Sequence, residues 1–391
     1  MNVDRENGYN NVQLDLGTGG YAEAWNPETG EIESVEYTVD NGKILVCTDL
    51  PPVCTKIYLI KQSGNQLPIK KEKVLFEQKA PEEYEYKLDE PNLCVLDKVS
   101  ISINTKEFSP ELDVLKADSK IRDVLGLPYR GGTMLQPWFA NKYRNAQDTV
   151  CGQVAVRYEF FINELPQKDV ELVVEEAQNY HAVKINGNAL DTVNTNGKWI
   201  DICFDKLNLP KEYLHTGSNM IELSFDYKPT SGCEAVYILG NFGVTLRGDK
   251  PVIDQLPEKL KIGDITPQHL PFYSGKLSYV LPISQFKGKK ALITVENFKG
   301  ACVKIKNSTD EKIIAWEPYT AEITDLIRDT DTLNVEVVLT RRNTFGPLHQ
   351  LPAIVSGYGP TNFLTVGDEW SDAYVLLEQG LLSAPVITVL E

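Results

Sequence analysis

No stretch of this 391-residue sequence approaches the ~20 consecutive apolar residues of a membrane-spanning helix. Basic residues are also short: 39 Lys and Arg against 55 Asp and Glu leave a formal charge of −16. Phosphate backbones and anionic lipids are bound by clustered cations. Neither nucleic acid nor a membrane is therefore an expected partner. Histidine is scarce, with only His181, His215, His269 and His349, and no i, i+4 pair or carboxylate set at ligand spacing. A zinc or non-haem iron site is not expected. Asp329-x-Asp331 is half of a calcium loop at most and reads better as a polar turn before the strand at Leu333. No cofactor is expected. There is no Gly-x-Ser-x-Gly elbow, and Gly17-Thr18-Gly19-Gly20 and Gly357-Tyr358-Gly359 lack the helix a phosphate cradle requires.

The seven cysteines, at 47, 54, 94, 151, 203, 233 and 302, form no Cys-x-x-Cys pair and no even framework. Cys203, in WIDICF, reads as a small buried hydrophobe. Unpaired thiols and an N-terminus without a charged start and apolar core favour a reducing, cytoplasmic setting. An extracellular one follows if the chain is a fragment.

What the sequence does contain is an internal echo. Val183, Ile185 and Asn186 in VKINGN return as Val303, Ile305 and Asn307 in VKIKNS, 303 − 183 = 120 residues on for the valines. Each run is preceded by an apolar strand (170–176 and 291–297) and followed by a tryptophan (Trp199, Trp316) and a strand that begins at an asparagine (Asn219, Asn334). A period this long indicates duplicated domains, not a solenoid. Strands of five to eight residues separated by Gly, Asn, Pro or Asp predict antiparallel sandwiches, and helices do not alternate with them as in α/β folds.

The expected fold class is all-β: tandem antiparallel jelly-roll sandwiches preceded by a small β unit, with one helix near 110–125. Residues 1–62 form a partial β unit completing a preceding domain, with a hairpin about Asn41-Gly42. Residues 63–92 are a polar connection that reads as exposed or as a short edge hairpin, 93–250 the first sandwich, 251–276 a linker that also packs along the domain junction and 277–391 the second sandwich. For the helix, Ser109 is the expected cap, Pro110 its first residue and Gly126 its end.

Three places invite chemistry. Asn163-Glu164 has the residue types of a glycosidase acid at a strand end, but Leu165-Pro166 follows, and a turn is expected. The run Arg341 to His349 presents Arg342, Asn343, Phe345 and His349 at a Gly-Pro bend. An aromatic face with amide and guanidinium donors suits a saccharide. The same groups suit an inter-domain brace. The loop with Tyr129, Arg130 and Trp138 has the same two readings. No catalytic residue is assigned, and no cavity with paired acids is expected.

At these residues a resemblance enters. WNPETGEIESV (25–35), LPPVCTKIYLI (50–60), GLPYRGGTMLQPWF (126–139), WEPYTAEI (316–323), NTFGPLH (343–349) and DAYVLLEQGLLSAPVI (372–387) resemble the region after the catalytic barrel in large bacterial glycoside hydrolases, especially alpha-L-rhamnosidases. VKINGN, with Trp199 and GSNMIELSF, has the same look. The resemblance implies galactose-binding-like sandwiches, a non-catalytic carbohydrate-binding or scaffolding role, and the catalytic domain of the same parent protein as a partner. An intact glycosidase with an unrecognised carboxylate pair, or a structural or adhesion protein, are the alternatives.

Overall fold

The computed structural model describes residues 1–27, 30–68, 73–129, 149–355 and 357–391. The chain is all-β, and among the described residues no sheet closes into a barrel and no helix is long and apolar enough to cross a membrane. Two three-stranded sheets form the small N-terminal unit around Ala22, Val35, Ile44 and Val46. Its hairpin pairs Tyr37–Asp40 with Lys43–Leu50. Asn41 and Gly42 both take positive φ, 50° and 75°. That is the twist a two-residue turn needs to match its strands.

Two larger sandwiches follow, and they share one strand order. In the first, one sheet runs Lys98–Ile103, Gly152–Ile162, Gly217–Tyr227, Ala182–Ile185, Asn188–Ala189. Its counterpart in the second runs Tyr86–Leu88, Lys276–Pro282, Thr332–Val338, Cys302–Lys306, Glu311–Ile314. The facing sheets agree likewise: Asn92–Leu96, Val236–Gly240, Val170–Glu175, Asp201–Leu209 against Val74–Lys79, Val386–Leu390, Lys290–Thr294, Thr320–Glu322. The echo is thus a shared register. Val183 pairs with Leu223 and Ile185 with Ile221, as Val303 pairs with Val337 and Ile305 with Val335. All four echoed side chains are fully buried. The asparagines that follow both close a hairpin and donate to a distant carbonyl, Asn186 to Tyr213 at 2.8 Å and Asn307 to Leu326 at 3.0 Å. The tryptophans do not correspond: Trp199 is 8% exposed and Trp316 58%.

This order carries a topological consequence. The first two strands of the second sandwich, Val74–Lys79 and Tyr86–Leu88, precede the whole of the first sandwich, and its other strands come after. The first sandwich is an insertion in a loop of the second. Leu88 pairs with Leu277, and the Asp89 N–H donates to the Lys276 carbonyl at 3.2 Å, so the two ends of the insertion lie side by side. Residues 63–92, read from sequence as a connection or a short edge hairpin, supply these strands, each at the edge of a different sheet. Both are edge strands: Val74–Lys79 is exposed throughout and so carries no core-facing alternation, while Tyr86–Leu88 puts only Tyr86 and Leu88 against the core, too short a run to mark a strand. Residues 251–276, read as a linker packed along the domain junction, contribute all but the first residue of Lys250–Asp254, which pairs in parallel with Gly152–Ile162, and the fully buried Ile265, Leu270, Phe272 and Tyr273.

The helix spans Val114–Leu125 and starts later than its sequence signal. Ser109 is tied to strand Lys98–Ile103, its N–H donating to the Ile101 carbonyl and its hydroxyl accepting the Ile101 N–H. Leu112–Asp113 then pairs with the start of the same strand. Only after Asp113 is the chain free to turn, and Asp113 is the cap, accepting the N–H groups of Leu115 and Lys116. Gly126 ends the helix in the left-handed region, φ 66°. Val114, Ala117 and Ile121 are buried along one face, whereas Val124, three residues further on, is 53% exposed.

Candidate functional site

The run LCVLDKVSISI reads as one strand, but Asp97 breaks it in two. Asn92–Leu96 joins one sheet of the first sandwich and Lys98–Ile103 the other. At this crossing the Asp97 carbonyl accepts the Val114 N–H at 2.8 Å, which positions the helix start beside it. The buried Asp97 side chain accepts from the Tyr374 hydroxyl at 2.8 Å and meets His349 Nε2 at 3.1 Å. His349 Nδ1 lies 2.8 Å from the Ser371 carbonyl, which can only accept. Both ring nitrogens therefore face acceptors, the arrangement of an imidazolium. Burial pulls the His349 pKa down, yet the hydrogen bond and charge of Asp97 outweigh it and leave the group above its ordinary value.

His349 belongs to a long excursion of the second sandwich, between Thr332–Val338 and Gly380–Leu381, that lies against the first. Between them is a cavity of about 600 Å³. One wall is aromatic. Phe345 stacks on Phe204 with ring centres 5.8 Å apart and 13° between planes, and meets Tyr237 edge-on at 5.5 Å. Trp199 backs this group, 5.4 Å from Phe345. Trp370 closes another side, stacked on His349 at 4.9 Å with Lys116 Nζ over its ring.

Much of the remaining lining is apolar, with Val95, Leu348, Phe363 and Leu364 among it, and into it are set the acidic residues Asp97, Asp113, Asp118, Glu175, Asp201 and Glu234. This corrects the expectation that no cavity would hold paired acids. Alternation along a strand shows which side chains leave the core, but not that carboxylates from separate elements converge. Asp118 is neutralised locally, accepting from Arg122 Nε at 3.1 Å, the Tyr227 hydroxyl at 2.6 Å and the Cys233 N–H at 3.1 Å. Asp201 accepts the Cys203 N–H at 3.1 Å. Burial, opposed by the Lys116 N–H and reinforced by the charge of Asp97, pushes Asp113 up to about 6.

The sequence candidates divide between this cavity and the frame around it. Phe345, His349 and Tyr129 line it, with the Tyr129 hydroxyl 2.6 Å from Asp123. Arg342 and Asn343, in the same turn, face away. Arg342 donates to the Ile354 and Pro347 carbonyls. Asn343, fully buried, exchanges two hydrogen bonds with the backbone of Leu377 at 2.8 and 2.9 Å. Arg130 and Trp138 lie outside the described residues. Asn163 and Glu164 form an exposed bend remote from the cavity lining. Sequence reasoning missed Asp97, Asp113, Phe204, Tyr237 and Trp370. Of these, only Asp113 carried a local signal, as a capping residue immediately before an apolar periodic run. No group of three or more His, Cys, Asp or Glu among the described residues has metal-ligand geometry, and the seven cysteines are all free thiols.

No protein-family profile matches the chain, and no curated protein does. The solved structures it is similar to are glycoside hydrolases. A rhamnosidase from Novosphingobium sp. is 14% identical, with 57% of this chain and 18% of that one covered, at a TM-score of 0.18. A β-D-glucuronidase from Dictyoglomus thermophilum is 12% identical, covering 64% of this chain and 38% of that one, at 0.22. A β-glucuronidase from Ruminococcus gnavus is 12% identical, covering 65% and 40%, at 0.24. The chain spans well under half the length of each.

Proposed function

We propose that this chain is an accessory region of a glycoside hydrolase, in which galactose-binding-like sandwiches support a catalytic barrel and hold saccharide non-covalently. The observation that carries this reading is the cavity of about 600 Å³ with Phe204, Tyr237 and Phe345 on one wall and several acidic residues set among the apolar groups of the rest. A pyranose has apolar C–H faces that stack on aromatic rings and hydroxyls that donate to carboxylates, so both linings are used. The sequence resemblance to the region after the barrel in rhamnosidases points the same way. Binding is expected in the millimolar range, roughly −4 kcal/mol. The test is a panel of neutral and charged glycans titrated into the whole chain. Binding that Phe345→Ala weakens supports the reading, and silence across the panel removes it.

One observation favours a second reading, an intact glycosidase. Asp113, which lines the cavity and is pushed up to about 6 chiefly by burial, has the elevated pKa of a general acid. Aryl glycosides, rhamnosides first, distinguish the two. Turnover abolished by Asp113→Asn and untouched by Glu164→Gln would establish catalysis.

A further inference from the structure

Resting on the reading of the cavity as a saccharide site, we infer that Ile200 is a ligand-contacting residue of that site, an apolar lip held at the cavity against its own backbone preference. Lys198 pairs with Asp205, and the chain between them, from Trp199 to Phe204, is the tip of a hairpin. Trp199 is buried behind the aromatic wall, while Ile200, Asp201 and Phe204 all line the cavity. In a regular strand Ile200 and Asp201 would point to opposite faces. The turn that brings both to one space is the left-handed backbone at Ile200, φ 60°.

An L-residue in that region crowds its Cβ against the following carbonyl, and a branched side chain fits it worst, so glycine or asparagine is the ordinary occupant. Of the described non-glycine residues with positive φ, Ile200 alone lines the cavity. Burial does not explain the isoleucine either, because Ile200 is 52% exposed where the preceding Trp199 is 8%. Glycine would make the same turn without strain. Backbone strain of this kind gathers at ligand clamps, where a side chain is held for what it touches. A branched apolar group at the cavity edge offers no hydrogen bond, so its contact is with the C–H face of a bound sugar.

The test titrates the methyl glycosides of rhamnose, glucose and glucuronic acid into the whole chain, followed by ligand-observed NMR. For the sugar bound most tightly, here or in the glycan panel, Ile200→Gly and Ile200→Ala should each weaken binding about fivefold. Ile200→Val, which keeps the branch, should stay within about twofold of the native chain. Strain is read separately by denaturant unfolding: of the two truncations Ile200→Gly should have the higher midpoint, reversing the usual order of glycine and alanine. A higher midpoint for Ile200→Ala would show that the turn is not strained and overturn the inference. Native affinity in both truncations, with Phe345→Ala still weakening the sugar, would overturn it and leave the saccharide site standing. Silence of every sugar with the native chain would overturn the saccharide site and the contact with it.

Discussion

His349 and Asp97 meet across the junction of the two sandwiches, Nε2 to Oδ2 at 3.1 Å, although 252 residues separate them. The pair anchors the excursion that forms one side of the cavity, and Tyr374 holds the same carboxylate from that excursion. Because its folded pKa is raised, protonated His349 stabilises the fold fully below about 6.5, and that contribution is lost as pH rises through the folded value. An NMR titration of the His349 ring should give a midpoint above 6.5, and Asp97→Asn should lower it.

Asp113 titrates in a different window. Its pKa is about 6 when folded against an ordinary 3.8, so the folded chain holds this proton more tightly. Stability from this group is present below pH 3.8 and is lost as pH rises to about 6, by about 3 kcal/mol in all at ~1.4 kcal/mol per unit. Asp113→Asn keeps an acceptor for the helix N–H groups and cannot ionise. Denaturant unfolding from pH 4 to 7 should therefore show the variant gaining on the native chain as pH rises.

Asn343 tests the frame around the cavity. Its side chain is fully buried and both bonds go to the Leu377 backbone. Asn343→Ala leaves the half-buried N–H and carbonyl of Leu377 without this partner and should cost about 1–3 kcal/mol. Chemical denaturation measures this loss. A cost below about 0.5 kcal/mol, the size of an ordinary surface change, would show that the brace contributes little.

The insertion topology predicts an asymmetric response to truncation. Removing residues 1–62 takes away a unit with its own small core. The two sandwiches should keep their cooperative unfolding. Removing residues 1–91 also strips Val74–Lys79 from Val386–Leu390 and Tyr86–Leu88 from Lys276–Pro282. The second sandwich, nearly 200 residues downstream of the cut, should then lose its unfolding transition or its solubility, as read by calorimetry.

Several elements were legible because their signals are local. Val183 and Ile185, and Val303 and Ile305, alternate with lysines, and period-two alternation means one buried face wherever the strand is placed. Asn41-Gly42 specifies its turn through positive φ alone. The helix was visible as an amphipathic run ended by Gly126, while its true cap was hidden because Ser109 was already bonded to a strand. Phe345 and His349 were picked from a bend of mixed chemistry, and the same inventory could not separate them from Arg342 and Asn343, which turn to backbone carbonyls.

Sequence by itself determined the all-β class, the duplicated strand pattern and the turn positions, since each depends on neighbours a few residues apart. Tertiary structure alone decided that one sandwich interrupts the other, that Asp97 crosses between sheets, and that carboxylates from separate strands and a helix face one aromatic-walled space. An edge strand exposed throughout, as Val74–Lys79 is, has no buried face to record in its sequence. A carboxylate outside the core looks the same in sequence whether it faces open water or a cavity, because only the path of the distant chain sets what lies opposite it.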